Sequence, residues 1–114
     1  MKSIASAPAK VILFGEHFVV YGIKAILCSI NKRVTITSSN TEEQVISVKS
    51  DLGEISIPSS ILIEEINSPL LPFIYIAKKM TEKFNYSGGI KITINSDIPS
   101  GVGLGSSSAC CVAA

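Results

Sequence analysis

The sequence predicts a mixed fold of β-strands and helices, and three observations support this prediction. Apolar and polar residues alternate through several short segments, which is the period of a strand with one buried face. A later segment places its apolar residues at helical spacing. A third segment, rich in glycine and serine, leads from the last alternating stretch into an apolar run of small residues, which indicates a strand, a loop and a helix in that order.

The strands are predicted from the alternation and from the turns between them. Pro8 separates the first two, and the turn Asp51-Leu52-Gly53 and the polar run 38–44 connect three later strands as an antiparallel meander. Pro58 ends the meander. The predicted strands cover residues 4–7, 11–14, 25–30, 34–37, 45–48, 55–57 and 90–94.

Three helices are predicted. Residues 59–66 read as a short helix with Ser59 or Ser60 as its cap, and residues 70–84 read as a longer one that Gly88-Gly89 ends. The third begins near Ser106. No repeat, low-complexity linker or domain boundary is visible, so residues 1–114 are predicted to belong to one domain.

The most informative segment has the sequence PSGVGLGSSSA. Its alternate glycines permit positive φ and bring backbone N–H groups close to an anion, and the following helix directs its positive end to the same point. No lysine follows Gly105 as a Walker A loop requires, and Ser106 departs from the dinucleotide-binding pattern. The predicted phosphate-binding residues are Pro99, Ser100, Gly101, Val102, Gly103, Leu104, Gly105, Ser106, Ser107, Ser108 and Ala109.

The alternative interpretation of this segment is a glycine-rich turn whose serines cap a helix. A cap needs only one hydroxyl, and this chain has three consecutive serines. The additional hydroxyls therefore favour contacts to phosphate oxygens or Mg²⁺.

A second block, PAKVILFGEHFVVYG, covers residues 8–22. Its apolar strand ends at Gly15 and is followed by Glu16 and His17, the only histidine of the chain. Lys10 precedes the same strand, so one short element presents a cation at one end and a carboxylate and an imidazole at the other. Taken singly, each of these residues also has a plain reading as a solvated or structural group.

Together the two blocks resemble those of the GHMP kinases, and the first block is most similar to that of the mevalonate kinases. Galactokinases place Thr-Asp after Gly-Glu-His, where this chain has Phe18-Val19, and phosphomevalonate kinases tend to have Gly-Glu-Tyr. The resemblance covers essentially the whole chain. One departure is Ser108, where an alanine is common.

The resemblance implies a fold. GHMP kinases begin with an α+β domain of the ribosomal protein S5 domain 2-like type, and residues 1–114 are expected to be most of this ATP-binding N-terminal domain, cut within the helix after the phosphate-binding loop. The C-terminal domain and the carboxylates that serve the family as catalytic base and main Mg²⁺ ligand have no counterpart here. We therefore expect the 114 residues alone to be inactive, and a homodimer is one option for the full-length enzyme.

The resemblance also implies a reaction, the transfer of the ATP γ-phosphoryl group to the 5-hydroxyl of mevalonate in isoprenoid precursor biosynthesis. Lys10 would be catalytic and contact the substrate, Glu16 and His17 would bind mevalonate, and Ser107 would bind Mg²⁺, with residues 99–109 on ATP. Two alternatives remain open. One is a GHMP kinase for another small alcohol or a sugar, and the other is a chain that only folds or binds nucleotide.

Composition indicates a cytoplasmic protein. A net charge of +1 with 46% hydrophobic and 17% charged residues argues against a nucleic-acid or membrane-surface partner. No apolar stretch reaches the roughly 18 residues of a membrane span. Cys28, Cys110 and Cys111 form no disulfide framework, which suits a reducing compartment, and they are interpreted as small core residues.

Overall fold

A computed structural model describes residues 2–15, 19–99 and 103–114 and confirms the mixed α+β fold. Five strands form one sheet in the order β1-β2-β5-β3-β4. The elements are β1 (Lys2–Phe14), a 3₁₀ turn (Val19–Tyr21), β2 (Ile26–Thr41), β3 (Val45–Ser50), β4 (Gly53–Pro58), a second 3₁₀ turn (Ile63–Glu65), α1 (Leu71–Lys83), β5 (Gly89–Ser96) and α2 (Ser106–Ala113).

The chain divides into two compact units. The first comprises residues 1–5, 36–95 and 114, and the second comprises residues 6–35 and 96–113. The core of the first unit contains the fully buried Ile46, Val48 and Ile74. Among the described residues of the second unit, the buried side chains are smaller on average and are Ala7, Ala9, Val34, Ile98, Ala109 and Ala113. The assignment of residues 1–114 to one domain stays a prediction.

Two strands are longer than predicted. The break expected at Pro8 is wrong, because β1 continues through it from Lys2 to Phe14. β1 lies at the edge of the sheet, where a residue without an N–H group is tolerated because one side of the strand has no partner. The strands predicted at residues 25–30 and 34–37 are likewise one strand, β2.

The predicted meander is only partly right. β3 and β4 form the expected antiparallel hairpin, with Ser50 opposite Gly53 across the turn. β5, however, lies between β2 and β3 and pairs with β3 in parallel, so β2 and β3 are not neighbours. A parallel partner requires a crossover connection, and α1 lies in the connection from β4 to β5. Alternation predicts that a segment is a strand but does not identify its neighbour.

The helix predicted at residues 70–84 is confirmed as α1, which packs against β3. Gly88-Gly89 does not end it. Asn85 takes the left-handed conformation at φ +52°, and the N–H of Tyr86 donates to the carbonyl of Thr81 at 2.9 Å, which is a Schellman ending. The two glycines have another role, since a Cβ at Gly89 would overlap the backbone carbonyls of residues 43 and 45.

The short helix predicted at residues 59–66 is wrong. Only Ile63–Glu65 are helical, as a 3₁₀ turn. The residues before this turn are hydrogen-bonded to a side chain of α1. The Lys78 ammonium donates to the carbonyl of Ser59 at 3.3 Å and to that of Ile61. These tertiary hydrogen bonds use backbone carbonyls that a helix would have used itself.

The cysteines are not core residues as predicted, since Cys28 and Cys111 are exposed and Cys110 is half-buried. Their small apolar side chains alone did not show which face they occupy. Among the described residues, no helix has both the length and the apolar character needed to cross a membrane.

A buried and an exposed isoleucine of α1 allow a test of how this helix packs. We expect Ile74→Ala to lower the free energy of unfolding by about 2–5 kcal/mol, because it leaves a cavity in the core. Ile76→Ala, on the same helix at 36% exposure, is the control and should cost distinctly less. Denaturant unfolding of both variants measures the difference, and equal losses would contradict the packing of α1 described here.

Candidate functional site

The glycine-serine loop and α2 both belong to the second unit. Ser100, Gly101 and Val102 lie outside the described residues, whereas Pro99 is described and exposed. Gly103 and Gly105 have φ angles of +73° and +75°, the left-handed conformation that favours glycine. A Cβ at Gly103 would meet nothing within 4 Å, so open space adjoins the loop there.

Gly105, and not a serine, is the N-cap of α2. Its carbonyl accepts the first hydrogen bond of the helix, from the N–H of Ala109 at 2.9 Å. Ser106, Ser107 and Ser108 therefore form the first turn, and the interpretation of these serines as caps is wrong.

The three hydroxyls are available for a ligand. Ser107 and Ser108 are exposed and Ser106 is half-buried. Within residues 2–15, 19–99 and 103–114, no hydrogen bond involves these side chains. The backbone N–H groups of a first helical turn also lack intrahelical partners, so hydroxyls and N–H groups together make this end of α2 suited to an anion.

Lys10 lies beside the same end of α2. Its backbone N–H donates to the carbonyl of Leu104 at 2.8 Å. Its side chain crosses Gly105, where an added Cβ would lie 2.7 Å from the Lys10 Cγ and 2.9 Å from its Cε. The ammonium is one bond beyond Cε, so a positive charge and the positive end of a helix converge at the loop.

The loop is also anchored before its first glycine. The N–H of Asp97 donates to the carbonyl of Arg33 on β2 at 2.9 Å, and Ile98 is buried. The Arg33 guanidinium in turn donates to the Ser6 hydroxyl on β1 at 3.0 Å. These hydrogen bonds could not be predicted from the sequence, because a backbone carbonyl on another strand leaves no signal in it.

Gly15 ends β1 with φ +88°. A Cβ there would lie 2.6 Å from the carbonyl oxygen of Lys24 and 2.9 Å from the Cα of Ala25, so both the conformation and the close backbone approach require glycine. The predicted substrate-binding residues that follow, Glu16 and His17, lie outside the described residues.

Comparison with known proteins identifies the family. The sequence pattern of the GHMP kinases N terminal domain matches residues 72–114, a range that contains all of α1 except Leu71, together with β5, the loop and α2. Mevalonate kinases of Methanothermobacter thermautotrophicus and Pyrococcus furiosus are 39% and 40% identical to the chain over 99% of its length. The chain carries a GHMP kinase N-terminal domain. It spans 34% and 37% of the length of these two relatives, about a third.

The GHMP kinase fold is confirmed by a solved structure. The crystal structure of the Methanococcus jannaschii mevalonate kinase matches 99% of this chain at 31% identity with a TM-score of 0.79, and the match covers 38% of that structure's chain. The N-terminal α+β domain expected from the two motifs is therefore the domain observed.

The metal-binding side chains in the described part of the chain do not cluster. No group of three or more His, Cys, Asp or Glu residues comes together among residues 2–15, 19–99 and 103–114. Burial and the neighbouring Cys111 raise the pKa of the Cys110 thiol, which keeps it protonated and disfavours a role as metal ligand or nucleophile. The Ser107 hydroxyl is an exposed oxygen of the kind that suits Mg²⁺.

The placement of Ser107 in the first turn of α2 gives a test that separates ligand binding from helix capping. Ser107→Ala should change the free energy of unfolding by less than about 0.5 kcal/mol, because no hydrogen bond of the described residues is lost. Ser68→Ala is the control, because the Ser68 hydroxyl accepts a hydrogen bond from the N–H of Leu70 at 3.1 Å just before α1. Loss of this hydrogen bond should cost about 1 kcal/mol. A loss of that size at Ser107, measured by denaturant unfolding, would restore the capping interpretation.

Proposed function

We propose that this chain is the phosphate-binding part of an ATP-dependent mevalonate kinase. The observation that carries the proposal is the crossing of Lys10 over Gly105, which brings a cation to the N-terminus of α2 beside the open space at Gly103. The identity of 39% and 40% with mevalonate kinases supports the choice of substrate. Because the chain spans about a third of those relatives, the activity is proposed for the full-length protein.

Phosphoryl transfer requires positioning and charge stabilisation more than covalent chemistry from the protein. The first-turn N–H groups of α2 and the hydroxyls of Ser106, Ser107 and Ser108 would bind the β- and γ-phosphates of ATP. The Lys10 ammonium would stabilise charge on the transferring phosphoryl group, where the interaction strengthens as the transition state forms.

The remaining roles concern the metal and the alcohol. Mg²⁺ would neutralise phosphate charge, and Ser107 is the residue of this chain that would contribute a ligand to it. Glu16 and His17 would contact mevalonate, with His17 as a hydrogen-bond donor. These two residues follow Gly15, where the nearby backbone of Lys24 and Ala25 leaves no room for a Cβ.

Substitution of Lys10 in the full-length protein tests the proposal. Lys10→Met keeps the apolar part of the side chain and removes the charge, and we expect kcat to fall by about 100-fold or more while the KM for ATP changes much less. Lys32→Met, an exposed lysine on β2, is the control and should leave kcat within about threefold. ADP release with ATP and mevalonate measures both. A Lys10→Met variant with kcat within about threefold of the parent would refute the catalytic role.

A substrate comparison tests the choice of alcohol. The residues Phe18-Val19 replace the polar pair that galactokinases carry after Gly-Glu-His, so a sugar would lose hydrogen bonds there. We expect kcat/KM for mevalonate to exceed that for galactose by about 10⁴-fold or more. Comparable values, or turnover with galactose alone, would favour the alternative of a GHMP kinase for another small alcohol or a sugar.

A further inference from the structure

The two described loop glycines have the same backbone conformation but different surroundings. Gly103 and Gly105 both have φ near +74°, at +73° and +75°. A Cβ would meet nothing within 4 Å at Gly103, whereas at Gly105 it would enter the volume of the Lys10 side chain. The left-handed conformation alone explains a glycine at either position. Only at Gly105 is the missing side chain replaced by another residue.

Three atoms of the Lys10 stem lie along Gly105. A Cβ would be 2.7 Å from Cγ, 3.4 Å from Cδ and 2.9 Å from Cε, so the whole aliphatic part passes across the N-cap of α2. The start of this path is held too, because the Lys10 N–H donates to the carbonyl of Leu104, the residue next to Gly105. Backbone and side chain of Lys10 therefore contact two consecutive loop residues.

We propose that Gly105 is a positioning residue for Lys10. Because Gly105 lacks a side chain, the Lys10 stem can lie against its backbone, in a space that we call the slot. The slot determines where the Lys10 ammonium lies relative to the first turn of α2. Lysine has a flexible four-carbon stem, and a slot restricts that freedom before any ligand arrives. The inference deepens the proposed function and rests on it for its catalytic consequence.

The slot predicts that substitutions of Gly105 and Gly103 have different effects on Lys10. A methyl group at Gly105 would displace the Lys10 stem and move the ammonium, whereas a methyl group at Gly103 would strain the backbone to a similar degree without touching Lys10. Removal of the stem by Lys10→Ala would leave nothing for the Gly105 methyl group to displace. The effects of Gly105→Ala and Lys10→Ala should therefore be coupled, and those of Gly103→Ala and Lys10→Ala should be independent.

The test is a pair of double-mutant cycles in the full-length enzyme. In the parent, Gly105→Ala should lower kcat with mevalonate and ATP by about tenfold or more, and in the Lys10→Ala background it should lower kcat by less than about threefold. Gly103→Ala should lower kcat by the same factor in both backgrounds. Equal effects of Gly105→Ala in the two backgrounds, or an unchanged kcat in the parent, would overturn the inference.

A second readout needs neither turnover nor a known substrate. Gly105→Ala should lower the melting temperature more than Gly103→Ala does, and Lys10→Ala should relieve part of that loss for Gly105→Ala alone. The ¹³Cε resonance of Lys10, assigned by comparison with Lys10→Ala, should shift in Gly105→Ala and stay in place in Gly103→Ala. If the protein proves not to phosphorylate mevalonate, the proposed function fails while these measurements still decide the inference. Absence of both the thermal coupling and the resonance shift would refute it.

Discussion

The hydrogen bond from the Lys10 N–H to the Leu104 carbonyl is the interaction on which the candidate site depends. It joins an edge strand to the residue before the N-cap of α2, at 2.8 Å. Without this bond, the lysine and the loop would be separate features at distant points of the sequence. With it, a positive side chain lies beside the positive end of a helix, an arrangement that suits an anion. Lys10 is half-buried rather than extended into solvent, which is consistent with a side chain held along the loop.

Glycine has different physical roles at different positions of this chain. Gly103 needs a left-handed conformation and adjoins open space, and Gly105 needs the same conformation and leaves room for Lys10. Gly15 ends β1 against the backbone of Lys24 and Ala25. Gly89 admits close approach of the backbone near β3, a role that does not require positive φ. A glycine in the sequence therefore predicts an unusual local requirement, but its neighbours decide which one.

The errors in the fold have a common origin. Pro8 looked like a strand break, yet the edge position of β1 lets the strand continue. Residues 59–66 read as a short helix with a serine cap, yet two of their carbonyls accept hydrogen bonds from the Lys78 ammonium. Capping was the alternative interpretation of the serines after Gly105, and the carbonyl of Gly105 begins the helix instead. For Pro8 and for residues 59–66, the position of the segment in the tertiary structure outweighed a local preference.

The sequence by itself determined which segments contain strands, the helix α1, the order strand, loop and helix around the glycines, and the resemblance to the GHMP kinase N-terminal domain. Those features depend on periodicity and on short motifs, which are local and therefore visible in the order of residues. Only the tertiary structure decided that β5 inserts between β2 and β3, and that Lys10 lies over Gly105. Both depend on contacts between residues far apart in the chain, and local periodicity carries no information about which distant segments will pair.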